Sequence, residues 1–135
     1  MDLETSLLTS ASGMRAQSTR MRIISENIAN EKTTPSSPGE DPYRRKTIAF
    51  REVLDRKTGA RTVEVAKIAR DDAPFRSLYD PGNKAANSNG QVALPNVDIS
   101  VEMADMMEAQ SAFEANLTAA EASRTMLLKT LDLMR

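Results

Sequence analysis

Cysteine and histidine are both absent from the 135 residues. Their absence removes disulfides, thiol nucleophiles, the usual zinc ligands and the usual general base together. No serine or aspartate then has a recognisable base, and neither enzyme activity nor a cofactor or metal is expected. Long apolar runs are missing too. No stretch approaches the roughly 20 residues that a membrane helix needs, so no direct membrane insertion is expected. The N-terminus has neither a basic head nor a continuous apolar core, so no cleavable secretory signal is expected. Charge of one sign is also lacking: the net is −1, which argues against a nucleic-acid binder held by phosphate contacts.

Helix breakers are scarce at both ends. All six prolines lie between Pro35 and Pro95, together with four of the five glycines. The two ends are therefore free to be long helices and the centre is not. Apolar residues make up 40% and charged residues 27%, the balance of an ordinary folded domain.

At the N-terminal end, Leu7, Ala11, Met14, Ser18, Met21, Ser25 and Ile28 keep a 4-3 alternation, which is a heptad row. It predicts a helix near residues 5–30 with Thr5 or Ser6 as the cap. Gly13 weakens that helix by up to about 1 kcal/mol relative to alanine. At the other end Ile99, Met103, Met106, Gln110, Phe113, Leu117, Ala120, Arg124, Leu127, Leu131 and Met134 repeat the alternation. Pro95, Asn96 and Asp98 mark the start of a helix from about 98 to 133, roughly 50 Å long at 1.5 Å per residue. A second row, Ala112, Ala115, Ala119, Ala122, Met126 and Leu133, falls on its opposite side. A two-helix hairpin leaves that side to solvent, where Lys, Glu and Gln belong. Small and apolar residues there predict a helix packed on both faces.

The middle predicts short strands at "KTIAF", "TVEV" and "QVALP", with turns at Asp80-Pro81-Gly82 and Ala86–Gly90. Charge divides along the same boundaries. Residues 31–96 carry 12 basic and 9 acidic groups, whereas 97–135 carry 3 and 7, so a basic centre and an acidic tail can attract between copies.

These patterns predict a mainly α protein with a small β-containing middle. Long N- and C-terminal helices pair as an antiparallel coiled coil, with short strands and turns inserted between them. Residues 1–34 and 96–135 form one helical domain, and 35–95 form the central strand and turn segment. The apolar surface left over on the C-terminal helix calls for other subunits, and heterologous contacts of that kind build rings or helical tubes.

Several local features have plainer readings. Asp98, Glu102 and Asp105 share a helix face as metal ligands do, but that spacing is common to any charged helix face. Arg44-Arg45-Lys46 reads as a strand edge or a contact to an acidic neighbour rather than an anion site. Asn27 and Asn30 read as helix-end hydrogen bonding.

The segments "NIANEKTTP", "PYRRKTIAFREVL", "DPG", "PNVDISVEMADMMEAQSAFEANLTAAE" and the final "LDL" together resemble the flagellar basal-body rod proteins, of the rod and hook axial family, and most of all their proximal-rod members. The most specific matches are Asn27-Ile28-Ala29-Asn30 with Thr33-Thr34, and Pro95, Asn96, Val97, Glu102, Met103, Asp105, Met106, Ala109, Phe113 and Asn116. Family members often continue "DP" into a His-Pro-containing loop, whereas this chain reads Asp80 to Ala86 without one.

The resemblance implies a structural subunit whose terminal helices stack with those of others into the tubular drive shaft that transmits motor torque. It implies export by the flagellar type III apparatus into the periplasm-spanning rod. The implied partners are copies of itself, other rod proteins, and export-gate or basal-body adaptor proteins, with no nucleic acid. The residues expected at the assembly interface are Leu7, Met14, Met21, Asn27, Ile28 and Asn30 on the first helix. On the second they are Met103, Met106, Phe113, Leu117, Leu127 and Leu131, with Ala115, Ala119, Ala122 and Met126 on its back. The rival reading is an export-linked helical chaperone or regulator that binds other flagellar proteins.

Overall fold

A computed structural model describes residues 2–134. Helix α1 spans Leu3–Ala29 and helix α2 spans Ile99–Leu133, with four strands between them: β1 Lys46–Leu54, β2 Arg61–Arg70, β3 Arg76–Tyr79 and β4 Gln91–Leu94. The long helices at the two ends and the strand-bearing middle follow the sequence reading, and β3 is an addition to it.

Local chemistry sets the boundaries. Helix α1 begins earlier than Thr5 or Ser6 would allow. The Asp2 carboxylate accepts from Glu4 N–H at 3.5 Å, and Thr5 Oγ1 instead donates to Asp2 O at 2.7 Å. Asp98 caps α2 by accepting from Ser100 N–H at 2.8 Å. The strands form two two-stranded sheets, β1 with β2 and β3 with β4. The β1–β2 connection is too short for a parallel crossover, so that pair is a hairpin. Gly59 sits at φ 71° and donates to Asp55 O at 2.7 Å, while Asp55 N–H donates to Ala60 O at 2.9 Å. That is a glycine bulge closing the turn. Strands β3 and β4 are antiparallel, with Arg76 opposite Leu94 and Tyr79 opposite Gln91. Their loop closes through Asp80 N–H to Gly90 O at 2.9 Å.

The chain divides into two compact units: Met1–Met21, Ile48–Lys67 and Met106–Arg135 form the first, and Arg22–Thr47 with Ile68–Asp105 the second. In the first unit the buried residues of the two helices are small: Ser10, Ser12, Ala16, Ala109 and Ser123. Ser6 Oγ and Ser123 Oγ share a hydrogen bond of 2.9 Å, Gly13 lies under the Asn116 amide, and Arg20 pairs with Glu108 at 3.0 Å. Residue numbers rise on one helix as they fall on the other, so the helices run antiparallel there. Helix α1 also meets β2: Thr9 Oγ1 donates to Arg61 O at 2.9 Å, and Ser12 Oγ accepts from Val63 N–H at 3.0 Å. In the second unit the buried side chains are larger: Ile23, Ile24, Asn27, Val92, Val97 and Glu102.

The inner row is not the one the apolar pattern marks. On α2 the covered positions include Glu102, Met106, Ala109, Phe113, Asn116, Ala120 and Ser123, with Asp105 and Ala112 half-buried beside them. On α1 they include Ser6, Ser10, Gly13, Gln17, Arg20, Ile24 and Asn27. Both rows keep the 4-3 alternation, but α1 turns inward one residue before Leu7, Met14 and Met21. Helix α2 keeps Met106, Phe113 and Ala120 but replaces Met103, Gln110, Leu117 and Arg124 by the residue before each. Serine, glycine and alanine let backbones approach closely, and hydrogen bonds then supply contacts that large apolar side chains would otherwise provide.

Candidate assembly surface

In the second unit the polar residues of the sequence motifs converge on one buried node. Glu102 is fully buried on the first turn of α2 and Asn27 sits on the last turn of α1. A buried carboxylate persists only when paired. Arg45 Nε donates to Glu102 Oε1, and Asn27 Nδ2 donates to Glu102 Oε2 at 3.1 Å. Asn27 is saturated: Nδ2 also reaches Lys46 O at 2.9 Å, while Oδ1 accepts from Lys46 N–H at 2.9 Å and from Tyr43 Oη at 2.8 Å. Arg45 makes longer ion pairs with Asp71 and Asp105, both at 3.4 Å. Burial works against its charge, but hydrogen bonding and attraction to Glu102 leave its pKa raised. Burial likewise raises the Tyr43 pKa.

Asn96 completes the node. Its Oδ1 accepts from Arg45 N–H at 2.8 Å, and its Nδ2 donates to Asp71 O at 3.0 Å and Ala73 O at 3.1 Å. Pro95 and Val97 beside it are fully buried. The "PNV" triplet thus ties the segment before α2 to the residues that border β1 and β2, a role the sequence reading did not assign.

This geometry corrects one local reading, that of Asn27, and details the others. Asn27 lies inside the chain at 1% exposure, spent on tertiary contacts rather than on the helix end or an outer surface. Asn30 does serve the helix end, donating to Glu26 O at 2.8 Å. Glu102 and Asp105 face the Arg45 guanidinium, and Asp98 is the helix cap, so the acid trio does not gather round one point. Among the described residues no group of three or more ligating side chains is placed to hold a metal. The basic triplet is resolved residue by residue. Arg45 meets acids, Lys46 pairs with Glu26 at 2.8 Å, and Arg44 stacks on Phe75 at 4.3 Å.

In the first unit, α2 from Leu117 onward turns its large apolar side chains outward. Leu117, Met126, Leu127 and Leu131 are all exposed, Leu127 least at 39% and Met126 most at 56%. Ala115, Ala119 and Ala122 are exposed on the same helix. Met106 and Phe113 are half-buried within the inner row, and Leu7, Met14 and Met21 are half-buried beside it. In the second unit Met103 is exposed and Ile28 half-buried. Ser123 lies opposite Ser6, and α1 begins at Leu3. Among the described residues, α1 therefore has none opposite the last two turns of α2. Every described residue from Arg124 onward is exposed. Contiguous apolar surface of this kind marks an interaction face.

Known proteins match at both helical ends and across the whole chain. The family model "Flagella basal body rod protein" matches residues 7–34, and "Flagellar basal body rod FlgEFG protein C-terminal" matches residues 88–133. The flagellar basal-body rod protein FlgC of Agrobacterium fabrum is 48% identical over 124 residues, covering 92% of this chain and 89% of its own. The chain belongs to the FlgC family of flagellar basal-body rod proteins. FlgC of Bacillus subtilis is 38% identical, covering 95% of both chains, and FlgC of Salmonella typhimurium 37%, covering 90% of both. The FlgC family is structural and its place is the flagellar basal body. The buried node and the outward apolar face therefore belong to a building block, not to an enzyme. Among the described residues no helix is long and apolar enough to cross a membrane.

Proposed function

We propose that this chain is a structural subunit of the proximal rod, assembling through its terminal helices into the tubular shaft that transmits motor torque. One observation carries the reading. Within the first unit the buried residues of the two helices are serine and alanine, while α2 keeps Leu117, Met126, Leu127 and Leu131 on the outside. A helix pair that covers its small residues and leaves large apolar ones on the exterior is built to pack against neighbours. Burying one such side chain contributes about 1.5–3 kcal/mol, so a few per neighbour lock a subunit firmly enough to carry load.

In this reading α1 and α2 form an antiparallel coiled coil, and the two ends of the chain act as one helical domain around the central segment. The interface residues are the exposed and half-buried members of the predicted set, with Asn27 supporting them from inside. The partners are other rod proteins, copies of this chain, and adaptor proteins at the export gate and basal body. Export runs through the flagellar type III apparatus, and a chain with no cysteine has no disulfides to break for that passage.

Leu117→Asp tests the proposal. Leu117 is 41% exposed, so the isolated variant is expected to keep its helix content by circular dichroism while cells carrying it lose motility. Normal swimming by those cells would reject the reading. So would absence of the unmodified protein from purified basal bodies, and stable dimers in the cytoplasm would then favour the export-linked chaperone.

A further inference from the structure

The charge segregation of the sequence becomes two surface features of opposite sign. In the second unit a cavity of about 160 Å³ is lined by Asp41, Pro42, Tyr43, Arg44, Lys46 and Arg70. The Arg44 guanidinium is already held, stacked on Phe75 and donating to Asp71 O at 3.1 Å. Lys46 is engaged by Glu26, whereas the exposed Arg70 has no ion pair among the described residues. Asp41 is the single acid of the lining. Three cations against Asp41 and Glu26 leave a positive surplus. With a water taking about 30 Å³, the space admits a carboxylate and its stem.

In the first unit the exposed side of α2 carries the opposite sign. Glu114 and Glu121 are exposed and make no ion pair among the described residues. They lie two turns apart on one side of the helix, about 10 Å along it. From Ile99 to Ser123 the helix has no lysine or arginine, so no cation of α2 stands within a turn of Glu114, whereas Arg124 stands three residues from Glu121.

We propose that the Glu114–Glu121 stripe of one copy docks a carboxylate into the Arg44–Arg70 cavity of a second copy. The inference rests on the assembly reading above. Guanidinium and carboxylate meet through paired hydrogen bonds, and a guanidinium fixed in advance by a ring loses less freedom on doing so. Two different patches meet, so the contact is head-to-tail and propagates from copy to copy. It sets orientation, while the apolar face supplies most of the affinity.

The absence of native cysteine makes disulfide mapping clean. The full chain carrying Arg70→Cys with either Glu114→Cys or Glu121→Cys is to be oxidised in basal bodies purified from cells. The expected result is a covalent species of twice the 14.8 kDa chain from at least one pair and from no single variant. In parallel, Arg70→Glu and the double change Glu114→Arg with Glu121→Arg are each expected to lower retention in basal bodies about two- to five-fold, the range of one exposed ion pair. The three changes together are expected to restore it. No doubled species, an equal yield from single variants, or no restoration would overturn the inference while leaving the rod reading intact. A cross-link to a different rod component would overturn the choice of a second copy. Absence of the unmodified chain from basal bodies would overturn both.

Discussion

Gly13 and Glu102 show how single residues carry the design. Alanine is favoured over glycine in a helix by up to about 1 kcal/mol. A Cβ on Gly13, however, would sit 2.7 Å from Asn116 Oδ1. Asn116 would have to rotate away and lose its hydrogen bond to Ala112 O at 2.8 Å. Gly13→Ala is therefore expected to lower the urea midpoint, and adding Asn116→Ala to recover most of the loss. Removing one member of a buried charge pair costs about 3–5 kcal/mol. Glu102→Ala is expected near the lower bound, since Arg45 keeps Asp71 and Asp105; urea unfolding measures it. Glu26 sets an acid limit. Its hydrogen bond with Lys46 holds its pKa below the ordinary glutamate value, so its stabilising contribution is present above that ordinary value and fades as pH falls through the lowered folded one. Glu26→Gln is expected to flatten the acid limb of a circular-dichroism titration in that window.

At the scale of the element, each helix is set by the row it turns inward. Ala109 is fully buried and Ala115 is exposed, although both are alanines on one helix. Ala109→Leu is expected to cost about 1–3 kcal/mol by overpacking, whereas Ala115→Leu should stay within about 0.5 kcal/mol in the isolated protein. Thermal melts of the two variants check the assignment, and equal melts would remove the basis for the inner row. Both helices were legible from the confinement of proline to residues 35–95, and Asp98 marked where α2 begins. The inward row was not legible, because Ser6, Ser10, Asn116 and Ser123 do not register in a search for apolar periodicity. That search found Leu117 and Leu127 instead, which point outward.

At the scale of the whole molecule, the two units differ in what they bury. The first unit covers mostly serine and alanine, whereas the second covers Ile23, Ile24, Val92, Val97 and the Glu102 node. Burial of larger apolar groups contributes more, and regions with few such contacts open first. Hydrogen exchange on dilute protein is therefore expected to be fastest in residues 3–21 and 106–134 and slowest around Val92, Val97 and Glu102. Limited proteolysis should cut the same fast segments first. Uniform protection of α2 in the lone chain would contradict the view that its outer face waits for neighbours.

The residue order by itself determined where the helices run, where the turns fall, that no disulfide or histidine chemistry is possible, and which family motifs stand at the two ends. Those properties are local or compositional, set by breakers, caps and missing side chains. Folding was needed to bring Asn27, Arg45, Asn96 and Glu102 into one buried node, because their partners lie 19 to 75 positions apart. The tertiary structure alone decided which of two heptad rows, one residue apart, turns inward. Hydrophobicity favoured the larger side chains, but close approach and hydrogen bonding selected the smaller ones, leaving Leu117, Met126, Leu127 and Leu131 exposed.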